Sequence, residues 1–229
     1  MRAISCDGGV IIYSALNALT VEAAISREIS VFTALNRDFE WKVYGHDAPK
    51  DLAARLCARG FSGDPTETLM VLDLTRPIGP VPEIDVRQTK DVALLRDLMS
   101  VHEAAFSEKR DRLFQNLKSR LQDSTMQLFV VYVDGKPVSA GRAEMPGDRS
   151  FASLWGGGTI PQFRGRGFFR GLVAIRAAEA RRRGYRYITV DAREASREIL
   201  ARLGFVRLTE IAGWNSAPIV SKGVHWPID

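Results

Sequence analysis

The chain has 229 residues, of which 45% are apolar and 26% charged, so it holds enough apolar material for a core and disorder is excluded as its default state. Its net charge of +5 suits an anionic partner, whether a phosphorylated cofactor, a nucleic acid or an acidic membrane, without choosing among them. No apolar run approaches the roughly 20 residues of a membrane span.

The cysteines indicate neither a metal site nor a disulfide framework. Cys6 and Cys57 lie far apart and in no CxxC or CxxH spacing, so we predict no metal. Two cysteines in a chain of this length favour a reducing compartment. The apolar patch at residues 10–13 is too short for a signal peptide. We therefore expect a cytoplasmic protein without a membrane partner.

The first third of the chain predicts a small unit that contains both helices and strands. Apolar residues at helical spacing predict a helix over 14–36, and a strand follows over 40–44. Asp47 is expected to cap a helix that accepts Pro49 in its first turn and ends at Gly60. A second strand is predicted over 68–74. The prolines and glycine of residues 75–82 then indicate a linker, which divides the chain into domains at 1–75 and 83–229, with the linker at 76–82.

The rest of the chain alternates strands and helices. Asp134-Gly135 is a strong hairpin signal between two β-branched runs. Helices are predicted over 91–106, 108–121, 167–183 and 196–203, and strands over 84–87, 128–133, 138–144, 151–160, 185–190 and from Phe205 onward.

Two short segments resemble each other. Residues 52–61 and 199–205 both read as a short helix, a glycine stop and a phenylalanine that enters a strand. Chance similarity and an internal duplication with a truncated first copy both explain this echo.

The residues Thr159 to Arg170 carry the strongest chemical signal. A strand ends, a basic loop with Gly165 and Gly167 follows, and a helix then begins without a side-chain cap. Glycines let the backbone approach an anion closely, and a helix start adds roughly half a positive charge. The segment therefore predicts an anion site suited to a pyrophosphate.

The pattern Thr159-x-Pro161-x-x-Arg164-Gly165-x-Gly167 resembles the acyl-CoA loop of the GNAT superfamily of N-acetyltransferases. The order of elements from Ile84 onward is similar to that fold, and residues 199–205 resemble its helix-to-strand corner. The resemblance implies an α+β (α/β) protein with a mixed central sheet. It also implies a smaller GNAT-like N-terminal domain, as in tandem members.

The resemblance implies roles for individual positions and acetyl-CoA (coenzyme A) as the cofactor. A strand-like edge would pair with the pantetheine arm, main-chain N–H groups of the loop would hold the pyrophosphate, and a strand-end N–H near residues 158–160 would stabilise an oxyanion. Ser196 would contact the cofactor or cap its helix. The implied cofactor-binding residues are Gly157, Gly158, Thr159, Arg164, Gly165, Arg166, Gly167, Phe168, Phe169, Arg170 and Ser196.

Three positions depart from the family pattern. Phe169 replaces a small residue of the loop, Leu200 stands where a tyrosine commonly protonates the leaving thiolate, and Ser153 stands where some members have a carboxylate base. Acetyl transfer to an amine of a small molecule or peptide is the expected function. A CoA-binding sensor or partner-binding module without turnover is the alternative.

Candidate catalytic residues each have a structural alternative. Glu144 is a general base or a solvated edge carboxylate, Asp191 a catalytic group or a cap or turn residue, and His102 a base or a packed histidine. Three glycines at 156–158 fit a cofactor along the strand or a bulge.

The arginines of the predicted helix over 167–183 have structural explanations. Arg176 is expected to snorkel from its helix. Arg181 to Arg183 suit a helix C-terminus better than a nucleic-acid surface. A homodimer is left open.

Overall fold

The computed structural model describes residues 1–4, 8–76, 83–107, 111–147 and 149–217. The chain divides into two compact units, one formed by Met1–Glu67 with Thr209–Asp229 and the other by Thr68–Leu208. The segment after Leu208 belongs to the first unit, and the domains at 1–75 and 83–229 stay a prediction. Residues 77–82 of the predicted linker lie outside the described residues.

In its described residues, the first unit is a small sheet with two helices. Its strands and helices are β1 (Arg2–Ile4), β2 (Gly9–Ile11), α1 (Val21–Ala34), β3 (Phe39–Tyr44), α2 (Leu52–Ala58), β4 (Ser62–Gly63) and the last part of β11 (Val206–Asn215). β1 is antiparallel to β2, β2 is parallel to β3, and β11 is antiparallel to both β3 and β4. Phe32, Trp41 and Leu56 are buried at its centre.

The second unit is a mixed sheet covered by helices. Its elements are β5 (Glu67–Asp73), β6 (Asp85–Arg87), α3 (Val92–Phe106), α4 (Asp111–Ser119), β7 (Met126–Val133), β8 (Lys136–Glu144), β9 (Phe151–Thr159), α5 (Phe168–Arg182), β10 (Tyr187–Ala192), α6 (Glu194–Arg202) and the start of β11. The strands lie in the order β5-β10-β9-β8-β7-β6. Only β9 and β10 are parallel neighbours in this path.

Alternating side chains of the central strands build two cores on opposite faces of this sheet. Phe129 and Val131 of β7 pack with Leu172 of α5, whereas Leu128 and Val130 pack with α3 on the other face. Successive side chains of a strand point to opposite faces, so β7 is buried along nearly its whole length. Among the described residues, none of the helices combines the length and apolarity that a membrane crossing requires.

Local hydrogen bonds explain where helices begin. Asp91 accepts a bond of 2.7 Å from the N–H of Leu94 and caps α3. The cap predicted at Asp47 is wrong. Asp47 accepts instead from the N–H of Tyr44, and α2 begins only at Leu52. The predicted helix over 14–36 begins at Val21 because Asn17 folds the preceding residues into a turn through bonds from Leu19 and Thr20.

The two similar segments end their helices in the same way. Gly60 and Gly204 both adopt a left-handed conformation, with φ of 85° and 93°. The N–H of Phe61 donates to Leu56 and that of Phe205 to Leu200, each over 3.1 Å. A Schellman-type helix end requires this geometry whatever its origin, so the similarity of the two segments follows from how each helix ends.

Candidate functional site

The parallel strands β9 and β10 separate partway along their length. Their pairing runs from Phe151–Tyr187 to Leu154–Val190, yet β9 continues to Thr159 and β10 to Ala192. Past Leu154, the edge of β9 that faces β10 is therefore no longer paired with β10. A peptide-like ligand can form strand-like hydrogen bonds with such an edge.

The direction of each N–H group along β9 follows from its pairing with β8. The N–H of Ile160 donates to the carbonyl of Val138 over 3.0 Å, and Gly158 lies opposite Ala140. Because N–H groups alternate in direction along a strand, those of Gly157 and Thr159 point away from β8. Ile160 is thus unsuited to the oxyanion role predicted for residues 158–160.

Helix side chains occupy both faces of the glycine run. The register of β9 against β8 shifts between Ala140 and Arg142, which is a bulge, and Gly156 has a φ of 55°. A Cβ on Gly156 would lie 2.5 Å from the His102 ring, one on Gly157 3.0 Å from Phe169, and one on Gly158 3.0 Å from Phe106. The missing side chains therefore admit protein groups, and only the edge of the strand is left for a ligand.

The loop after β9 is open at both of its glycines. Gly165 and Gly167 have φ of 75° and 84°, and a Cβ on either would meet no heavy atom within 4 Å. Gly167 is the N-cap of α5 and provides no side-chain cap. The loop thus presents backbone rather than side chains at the start of the helix, as the sequence predicted.

The arginines of the loop make contacts within the protein. Arg164 donates from Nε to the carbonyl of Thr159 over 3.2 Å and from Nη2 to that of Ala105 over 2.9 Å. It therefore ties the loop to the end of β9 and to α3. Arg166 lies 4.8 Å from the ring centre of Phe163. Both keep a positive charge near the helix start.

The first turn of α5 combines exposed backbone with a packed ring. Phe168, Phe169 and Arg170 are its first three residues, and the N–H groups at such positions have no partner within the helix. The ring of Phe169 faces Gly157 and joins the core under α5. This bulky residue thus fills the space that the glycine leaves and does not close the loop.

Glu144 lies away from this region. It pairs with Ser153, while Gly158 pairs with Ala140, so Glu144 is four residues, or about 13 Å, further along β8. Its carboxylate accepts bonds of 3.2 and 2.9 Å from Arg120. The structure does not bring Glu144 to the loop.

His102, Asp191 and Ser196 lie in three different settings. His102 is buried, and its Nε2 lies 2.5 Å from the carbonyl oxygen of Gly156. Asp191 is the first residue of β10 beyond its last partner on β9, inside a strand rather than at a cap. Ser196 is the third residue of α6 and donates to the carbonyl of Arg193, so the prediction that it caps this helix is wrong.

The environment predicted for Arg176 is wrong. This arginine was expected to snorkel, yet it is 1% exposed. Its guanidinium donates to the carbonyl of Arg142 over 3.1 Å, and Gly141 and Gly157 leave space for it. A charged residue within an apolar helix face was the available signal, but its depth depends on glycines in two other elements.

The sequence comparison identifies the part of the chain that carries these features. A model of the acetyltransferase (GNAT) family matches residues 92–205, about half of the chain. This span contains the β9 edge, the loop and β10. A comparison with curated proteins found no match.

Solved structures share the fold at low sequence identity. A GCN5-related N-acetyltransferase from Kribbella flavida is 16% identical, with a TM-score of 0.65 over 91% of this chain and 80% of that one. A protein of unknown function from Staphylococcus epidermidis is 15% identical, with a TM-score of 0.63 over 91% and 84%. A tandem GNAT protein from the clavulanic acid biosynthesis pathway is 14% identical, with a TM-score of 0.59 over 85% and 69%. With its mixed sheet, its opened strand pair and its matched span, the chain belongs to the acetyltransferase (GNAT) family.

Proposed function

We propose that the protein transfers an acetyl group from acetyl-CoA to an amine by direct attack. The observation that carries this proposal is the continuity of two features. The edge of β9 that leaves the ladder after Leu154 leads directly into the open loop at Gly165 and Gly167. Family membership of residues 92–205 supports it.

The loop fits a diphosphate. Left-handed glycines turn the backbone sharply, and the open space at Gly165 and Gly167 lets phosphate oxygens reach main-chain N–H groups. The first turn of α5 adds donors from Phe168 to Arg170 and the positive end of the helix dipole. Positive charge from Arg164 and Arg166 favours the same ligand.

The β9 edge fits an amide-bearing arm. The N–H of Thr159 points away from β8, and the carbonyl of Thr159 already accepts from Arg164. Pantetheine contains amides that form hydrogen bonds like those of an added strand. The edge would therefore orient the arm along β9, with the thioester near the bulge.

Bound acetyl-CoA supplies a thioester that is reactive toward amines. An amine that attacks it forms a C–N bond, breaks the C–S bond and gives up a proton, while the thiolate takes up a proton to leave as the thiol. Asp191 lies at the opening between β9 and β10 and is our candidate to accept the amine proton. Glu144 is the weaker candidate, because its carboxylate accepts from Arg120.

A pair of glycine variants tests the loop. Gly165→Ala should weaken acetyl-CoA binding at least tenfold, because the Cβ enters the space where phosphate oxygens approach. Gly135→Ala is the matched control, since Gly135 has a φ of 74° and equally open surroundings but lies in the β7–β8 turn. Both changes should cost similar stability, about 1 kcal/mol for a left-handed alanine. Isothermal titration with acetyl-CoA measures the affinity, and equal affinities in the two variants would contradict the loop assignment.

A CoA-binding module without turnover is the second candidate. Glu144 is held by Arg120, and Leu200 is 1% exposed within the core, so neither provides proton transfer at the site. Release of thiol from acetyl-CoA, followed with a panel of small amines and peptides, separates the two functions. Binding without thiol release for every acceptor would support the module.

A nucleic-acid surface at the end of α5 has less support. Arg182 and Arg183 both pair with Glu179, over 2.8 and 2.7 Å, which cancels part of their charge. Binding to nucleic acid through lysine and arginine falls steeply with salt. Weak, salt-insensitive retention on DNA would exclude this function.

A further inference from the structure

The bulge in β9 is held from both faces of the sheet by buried side chains that the proposed chemistry has not used. His102 of α3 contacts the carbonyl of Gly156. Arg176 of α5 donates to the carbonyl of Arg142, on the strand opposite the bulge. Both side chains are at most 2% exposed.

His102 determines the orientation of one peptide group. Its Nε2 lies 2.5 Å from the Gly156 oxygen, so this nitrogen carries the proton and donates it. In a trans peptide the C=O and the following N–H point in opposite directions. The N–H of Gly157, which points away from β8, is therefore also directed away from α3, and its direction is fixed as long as His102 holds the carbonyl.

Two glycines make the burial of Arg176 feasible. A Cβ on Gly141 would lie 2.8 Å from Nη1 of Arg176, and one on Gly157 3.0 Å from Nη2. The guanidinium thus occupies a space between β8 and β9 that exists only because both residues lack side chains. It lies against the residue whose N–H His102 orients.

The charge of Arg176 is not neutralised by a carboxylate. Its hydrogen bonds go to the carbonyls of Leu172 and Arg142, and no carboxylate of the described residues lies within ion-pair distance of it. Burial, followed by the neighbouring charge of Arg142, lowers the pKa of Arg176 to about 9, so the guanidinium is still charged at neutral pH. A buried charge without a counter-charge is costly, and negative charge developing nearby would relieve that cost.

We propose that His102 and Arg176 are positioning residues for acyl transfer: His102 aims the N–H of Gly157 at the thioester oxygen, and Arg176 stabilises the negative charge that grows there. This inference rests on the proposed function. It assigns His102 a structural hydrogen bond with a catalytic consequence, in place of the role of general base.

The test measures the polarisation of bound acetyl-CoA, which requires no acceptor. Infrared difference spectra of acetyl-CoA labelled with ¹³C at the thioester carbonyl report how strongly the protein pulls on that oxygen. We expect the wild type to shift the carbonyl stretch to lower wavenumber. His102→Leu and Arg176→Met should each lose most of this shift, while His102→Gln, which keeps a donor, and Arg176→Lys, which keeps the charge, should retain part of it.

A matched variant and a stability measurement separate this role from a merely structural one. Arg182→Met removes an exposed arginine from the same helix and should leave the spectrum unchanged. Because a buried charge without a counter-charge is costly, Arg176→Met should unfold at a urea concentration no lower than the wild type. Once an acceptor is found, kcat should fall by roughly tenfold to a hundredfold, with the Kd for acetyl-CoA changed less than threefold.

The outcomes distinguish this inference from the proposed function. A wild type that fails to bind acetyl-CoA overturns both. A wild type that binds acetyl-CoA without a carbonyl shift, or with the same shift in all four variants, overturns the positioning roles and leaves the proposed function standing. Loss of the shift together with loss of folding in both Arg176 variants would also count against the role of its charge.

Discussion

Asp123 accepts hydrogen bonds from several neighbouring groups and stabilises the region before β7. Its carboxylate accepts from the hydroxyl and the N–H of Thr125, over 2.7 and 2.8 Å, and from Arg120. Arg120 also holds Glu144. The bond from the Thr125 hydroxyl, together with the Thr125 N–H and Arg120, lowers the pKa of Asp123 to about 2. The network links the end of β8 to the turn before β7 through Arg120.

The low pKa of Asp123 predicts acid sensitivity. The pKa in the folded protein lies below the unfolded value, so the stabilising contribution is complete above about pH 4 and is lost as the pH falls toward 2. Asp123→Asn should therefore unfold more easily than the wild type at pH 5 and should show a shallower loss of stability between pH 4 and pH 2. Urea midpoints measured across this pH range test the prediction. Parallel plots of midpoint against pH for the two proteins would contradict the low pKa of Asp123.

At the scale of elements, strand β9 depends on close contact with helices. Gly158 faces Ala105 and Phe106 of α3, and a Cβ there would lie 3.1 and 3.0 Å from them. Glycine in a strand usually weakens it. Here it lets α3 approach closely, which also brings His102 to the bulge.

Gly158→Ala should therefore destabilise the protein by about 1–3 kcal/mol through overpacking. The second change Phe106→Leu, which removes the ring that the new Cβ meets, should recover part of this loss. Urea unfolding of the single and double variants gives the coupling between the two positions. Additive changes in the free energy of unfolding would show that the strand accommodates the new Cβ without a shift of the Phe106 ring.

The sequence predicted those elements whose signals are local. Asp134 and Gly135 formed the hairpin turn with φ of 50° and 74°, and α5 began at the glycine loop without a side-chain cap, as expected. The short strands β1 and β2 were missed because three residues carry too little periodicity. The environment of Arg176 could not be predicted, because the space it fills is created by Gly141 and Gly157, which are distant in sequence.

At the scale of the whole molecule, each compact unit has its own core. Phe32 is fully buried in the first unit and stacks on Phe39 with ring centres 4.2 Å apart. Leu95 is fully buried in the second unit, beneath α3. Separate cores favour separate cooperative units in unfolding.

Phe32→Ala should therefore lower hydrogen-exchange protection mainly in β2, β3 and α1, since the loss of a buried ring costs about 3–5 kcal/mol. Leu95→Ala should have the converse effect, on α3 and β7, with the first unit still protected. Hydrogen exchange measured by mass spectrometry on both variants tests this prediction. A uniform loss of protection in either variant would show that the chain unfolds as one body.

The path of the chain through its units has a consequence for synthesis. Residues 68–208 form a unit that is complete once Leu208 has been made, whereas the first unit still awaits the strand segment that starts at Thr209 and pairs with β3. Domains generally fold as units while the ribosome adds about 5–20 residues per second. The amino-terminal residues, although translated first, therefore cannot complete their sheet until almost the whole of this sequence has been made, whereas the unit that carries the family resemblance does not need that last segment.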